Sequence, residues 1–161
     1  MMRAITTFGG VGLLRPAPGT WGSLAGLIAA VLLHMIGGFW LLFVATFAVT
    51  ALGWWAVQAE VGDNEDDPSE IVIDEVAGQW VALWPVSFGA AMMGADILAL
   101  YPGLIAAFVV FRLFDIAKPG PVGWADRKHG AFGIMADDLI AGWLTAMVVM
   151  VLAVFAHLVL M

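Results

Sequence analysis

The chain has 161 residues, enough for one domain, and is 63% hydrophobic but only 12% charged, against about 25% charged in a soluble domain. Six Lys plus Arg against thirteen Asp plus Glu leave a formal charge of −7, which excludes the basic face that nucleic acid requires. There is no cysteine, so disulfides and thiolate ligands are excluded too.

The remaining solvent is a bilayer, and a helix needs about 20 apolar residues to cross one. Trp21–Ile36 is a short candidate closed by Gly37-Gly38, read as tilted, broken or re-entrant. Phe39–Val57 is a full span. Glu60–Glu70, EVGDNEDDPSE, is the most polar stretch and reads as a solvated loop. Val76–Met93 is a third span, which Pro85 should kink. Ile97–Phe114 is a fourth, interrupted by Pro102-Gly103, and Leu139–Met161 is the fifth. No clear cleavage pattern marks a signal peptide. The expected fold is all-α: one membrane-embedded domain over residues 1–161, with about five apolar helical segments.

Five spans impose a topology. Residues 1–20, 58–75 and 115–138 then share one side, and with the adjoining helix ends they carry Arg3, Arg15, Arg112, Lys118, Arg127 and Lys128, which are all the basic residues. Every acid except Asp96 falls there too. The positive-inside rule makes this side cytoplasmic.

Three groups of charge stand at helix ends on that side: Asp74-Glu75; Arg112, Asp115 and Lys118 at three-residue spacing, stopped by Pro119; and Asp137-Asp138. A charge at the bilayer centre costs about 2.5–3.5 kcal/mol or more, so placement at the ends and facing inward is expected. Carboxylates from three helices would repel and take up protons unless a cation intervened. Mg²⁺ is the natural one, being hard, oxygen-seeking and usually held by one or two carboxylates with substrate phosphate oxygens. Arg112 and Lys118 add phosphate-compatible donors. PGTWGS (18–23) brings Thr20 and Ser23 to a helix start whose N–H groups favour an anion. The composite is a metal-assisted site for a phosphate ester at a membrane surface. Each piece also has an ordinary reading. Asp137 fits an N-cap, Asp74 fits another, Arg112–Asp115 fits an internal ion pair, and GTWGSLAG fits small-residue helix packing. His34 and His157 read as packing or interfacial residues on the far side. Their coincidence on one face favours the site. An intramembrane Mg²⁺ or proton transporter is the alternative, but it should hold its acids near the midplane.

PGTWGS (18–23), IVIDEVAGQW (71–80), FRLFDIAKPGPVGWADR (111–127) and HGAFGIMADDLIAG (129–142) together resemble the phosphatidylglycerophosphatase A family, in order and over most of residues 10–145. Ala131-Phe132 departs from the glycine pair often found before GIM. The resemblance implies a Mg²⁺-dependent lipid phosphatase of the bacterial inner membrane, acting on phosphatidylglycerophosphate with its site toward the cytoplasm. On that reading Glu75, Asp115 and Asp138 form the metal-binding core, and Asp74 and Asp137 are supporting residues or a general base. Arg112 and Lys118 grip the phosphate near Thr20 and Ser23. Asp137 and Asp138 can exchange their roles.

Overall fold

A computed structural model describes residues 1–62 and 68–160. Residues 63–67, the centre of the expected acidic loop, lie outside them. All regular structure among the described residues is helical: α1 (Met2–Thr6), α2 (Pro18–Val61), α3 (Ile73–Ala82), α4 (Trp84–Met93), α5 (Tyr101–Ala117), α6 (Pro121–Asp126) and α7 (Gly130–Leu160), with 3₁₀ turns at Val11–Leu13 and Ile97–Leu100. Four helical stretches are long and apolar enough to cross a membrane: Pro18–Val61, Ile73–Met93, Ile97–Ala117 and Gly130–Val159.

The longest of the four is two passes. Gly37 and Gly38 leave helical geometry, and Gly38 takes φ 67°, ψ −162°, a conformation open to glycine and strained for other residues. The contacts give the arms opposite directions. Along the first arm, Gly22 faces Val72 and Gly26 faces Val76, the Trp80 indole donates to the Gly26 carbonyl at 2.8 Å, and His34 Nδ1 meets Ser87 Oγ at 2.7 Å. Along the second, Phe39 meets Phe88 edge to face, Trp84 donates to Thr46 Oγ1 and Gly53 faces Ile73. The first arm therefore runs parallel to α3–α4 and the second returns antiparallel. The expected five apolar helical segments are present, and Trp21–Ile36 belongs to a complete arm.

Prolines set the other breaks. Pro85 stands in the first turn of α4, directly after the Leu83 cap of α3, and Pro102 stands in the first turn of α5. Proline fits a first helical turn because its missing N–H would be unpaired there anyway. The last helix departs from expectation at its start. It begins at Gly130, not near Leu139, because the glycines of HGAFGIMADD serve close packing: a Cβ on Gly133 would lie 1.9 Å from the Lys128 carbonyl oxygen. Asp137 and Asp138 are consequently two turns inside α7, so the N-cap reading of Asp137 fails. Asp74 likewise sits inside the first turn of α3, whose cap position is Val72.

Small residues mark the interior, since apolar side chains face both protein and lipid. Ala30, Ala56, Ala77, Ala107 and Ala141 are fully or nearly fully buried, whereas Ile28, Leu32, Val44, Phe47, Leu113 and Val151 are exposed along the outer faces. In lipid, close backbone approach replaces hydrophobic burial as the packing force. The tightest crossing is α3 on α7, where a Cβ on Gly142 would lie 2.3 Å from the Gly78 carbonyl oxygen. This crossing sets α3 against the Asp138 turn of α7.

Candidate functional site

Four helix ends meet at one end of the bundle around a cavity of about 270 Å³. Pro18 and Gly19 line it from the start of α2, Asp74 and Glu75 from α3, Arg112, Asp115 and Ile116 from α5, Lys118 from the cap of α5, and Ile134, Asp137 and Asp138 from α7. Ser69 and Ile71 close it from the segment before α3. An N-terminal strap fixes that segment. Arg3 and Arg15 both pair with Glu70, at 2.5 and 3.6 Å, and the Val72 N–H donates to the Thr6 carbonyl.

Asp74, Glu75 and Asp138 each present a carboxylate oxygen within 4.8 Å of the other two. Asp74 and Asp138 are buried. Glu75 Oε2 and Asp138 Oδ1 are buried atoms with no hydrogen-bond partner, a costly arrangement for charged oxygens. Three hard oxygen donors, with no nitrogen or sulfur among them, fit Mg²⁺ well.

The cations oppose this set. The Arg112 guanidinium pairs with Asp115 one turn away and reaches Ser23 Oγ at 3.3 Å. Gly19 makes that approach possible, because a Cβ there would stand 2.2 Å from Glu75 Oε1 and 3.1 Å from Arg112 Nη1. Lys118, in left-handed conformation at the end of α5, pairs with Asp126 and lies 3.0 Å from Asp137 Oδ2. Burial alone would lower the Lys118 pKa, but the hydrogen bonds from Asp126 and Asp137 outweigh it and raise the pKa above its ordinary value. Lys118 is therefore a permanent cation at the cavity wall.

Of the nine residues expected from sequence, seven line the cavity: Asp74, Glu75, Arg112, Asp115, Lys118, Asp137 and Asp138. Ser23 is fully buried behind it, donating to the Gly19 carbonyl at 2.8 Å while meeting Arg112. Thr20 is absent from the lining, where Gly19 stands instead. Asp115, expected as a ligand beside Glu75 and Asp138, neighbours Asp138 but is paired with Arg112; Asp74 takes its place in the close triplet. Asp126 was not anticipated as Lys118's partner. Its signal lay in the eight-residue step from Lys118 across Pro119, Gly120 and Pro121, which folds the chain back.

Residues 4–153 match the family model described as phosphatidylglycerophosphatase A. The chain belongs to the phosphatidylglycerophosphatase A family. It is 38% identical over 142 residues to the phosphatidylglycerophosphatase A of Haemophilus influenzae, covering 87% of this chain and 81% of that protein. It is 34% identical over 140 residues to the protein of that name from Escherichia coli K12, covering 85% and 74%. A putative phosphatidylinositol-3-phosphatase of Bacteroides thetaiotaomicron is 36% identical over 130 residues, covering 78% and 77%. No solved structure matches the chain. The matched span contains every residue of the cavity.

Proposed function

We propose that the chain is a phosphoric monoester hydrolase that removes the terminal phosphate of phosphatidylglycerophosphate, leaving phosphatidylglycerol for phospholipid synthesis, at the cytoplasmic face of a bacterial inner membrane. The reaction is named by the family; the carrying structural observation is the triplet of carboxylates facing Arg112 and Lys118 across one cavity. We assign Mg²⁺ to Asp74, Glu75 and Asp138, with Asp115 beside Asp138. Bound there, the ion would neutralise charge gathering on the transferred phosphoryl group and activate water.

The chain's own groups do the rest. Arg112, steadied by Asp115 and Ser23, offers a planar fork to two phosphate oxygens. Lys118 adds a point charge from the other wall, held in place by Asp126 and Asp137. Pro18, Ile116 and Ile134 give the cavity apolar wall beside its charged groups, which suits a headgroup still attached to its diacylglycerol. Asp137, buried against Lys118, keeps that ammonium directed inward. The transporter alternative finds no support, since the family is one of phosphatases and the acids gather at one end of the helices.

Phosphate release from phosphatidylglycerophosphate by purified protein tests the reading, with phosphatidylinositol 3-phosphate as the comparison substrate. Release should stop in EDTA and return with Mg²⁺. Full release in excess chelator would remove the metal, and preference for the inositol lipid would replace the substrate.

A further inference from the structure

Gln79 lies one helical turn beyond Glu75 on α3 and is fully buried, yet neither its amide nitrogen nor its amide oxygen has a partner. A side chain with two donors and an acceptor is costly in a helix surrounded by apolar residues unless something answers it. Four residues apart on a helix puts Glu75 and Gln79 on one face, and the surroundings confirm it. Glu75 Oε1 abuts Gly19, and the Gln79 Cβ lies 3.6 Å from where a Gly26 Cβ would be. Both therefore face the first arm of α2, where buried Ser23 lies between Gly19 and Gly26.

The buried atoms without partners are complementary. Among the described residues they comprise two acceptors from acids, Glu75 Oε2 and Asp138 Oδ1; one donor, Arg112 Nε; and the two ends of the Gln79 amide. We infer that Gln79 is a positioning residue of the site: one turn from Glu75 on the same face of α3, its unpaired amide is placed to donate an N–H to the Glu75 carboxylate from the membrane side once an ion draws the acids together. The bond would fix the acid that holds the ion and leave the other Glu75 oxygen and Asp138 Oδ1 for the cavity. The inference rests on the metal reading above. Hydrogen bonds of this kind, reaching a metal through its ligand, are typically worth 10–100-fold in metal affinity.

Gln79→Leu and Gln79→Met test it in the full chain in detergent, by calorimetric Mg²⁺ titration and by the Tm of the metal-free protein. Mg²⁺ affinity should fall roughly 10–100-fold while the metal-free Tm stays level or rises, because an apolar side chain replaces an unanswered amide. In a Glu75→Gln background the same substitutions should weaken Mg²⁺ no further. A drop in Tm with unchanged Mg²⁺ affinity, or an equal loss in both backgrounds, overturns the assignment and makes Gln79 a packing residue. A native protein that binds no Mg²⁺ instead sinks the metal reading. The inference falls with it.

Discussion

At the scale of single residues, the two adjacent aspartates of α7 separate by partner. Asp138 belongs to the close acid triplet and keeps one oxygen unpaired, whereas Asp137 is satisfied by Lys118 and by the Asp138 N–H. Asp138→Asn keeps the shape and removes one negative charge, so Mg²⁺ affinity and turnover should fall together by orders of magnitude with Tm preserved. Asp137→Asn should act through Lys118, raising KM more than it lowers kcat. Steady-state phosphate release at several Mg²⁺ concentrations distinguishes the two, and equal, mild effects would make the pair structural. Lys118 gives a pH expectation. Its pKa is raised above an unfolded value of about 10.4, so its contribution to stability is fully present below that pH and fades only as pH climbs through the higher folded value. KM should therefore show no alkaline rise from Lys118 up to about pH 10, while Lys118→Met should raise KM about tenfold or more at every pH, the worth of one charge-assisted hydrogen bond to phosphate.

At the scale of elements, glycines divide into those that make the site and those that hold the bundle. A Cβ on Gly19 would meet the end of the flexible Glu75 side chain, whereas Cβ atoms on Gly78 and Gly142 would meet backbone across the α3–α7 crossing, at 2.4 and 2.3 Å. Gly19→Ala should thus lower activity with little change in Tm, because Glu75 can swing aside. Gly78→Ala should cost stability, about 1–3 kcal/mol for an overpacked contact, while Gly89→Ala, with nothing within 4 Å, should be neutral or slightly stabilising. Thermal unfolding and phosphate release on the three variants would show whether the losses divide this way. The same distinction explains what was legible in the sequence. Spans and their breaks at Gly37-Gly38, Pro85 and Pro102 follow from apolar length and backbone rules, which act locally. The start of α7 did not, because its glycines resemble loop punctuation until α6 and Lys128 are known to press against them. The cap reading of Asp137 fails for the same reason. Gly19 and Asp126 were invisible as site residues, since their roles depend on which side chains arrive from α3 and α5.

At the scale of the whole molecule, the apolar helical segments place nearly every charge of the described residues at one end. Arg3, Arg15, Glu60 and Glu70 bind the N-terminal strap to the same end as the cavity, and Asp96, which caps the turn before α5 through the Leu98 N–H, is among the described residues the acid at the other. The basic residues all lie on the cavity side, so the positive-inside rule predicts that this side faces the cytoplasm. A lipid carrying a phosphate made in the cytoplasm would then meet the cavity without crossing the bilayer. Single cysteines in this cysteine-free chain read the orientation directly. Ser69→Cys and His129→Cys, both exposed at the cavity end, should resist an impermeant thiol reagent in intact cells and react once the membrane is opened. Met93→Cys, exposed at the opposite end of α4, should react in intact cells. The sign cannot be mimicked by unfolding, which would expose all three positions to the reagent alike after lysis but none selectively before it. Labelling of Ser69→Cys and His129→Cys from outside, with Met93→Cys protected, would invert the topology and put the carboxylate triplet on the outer face, where it would have to act on lipid already translocated.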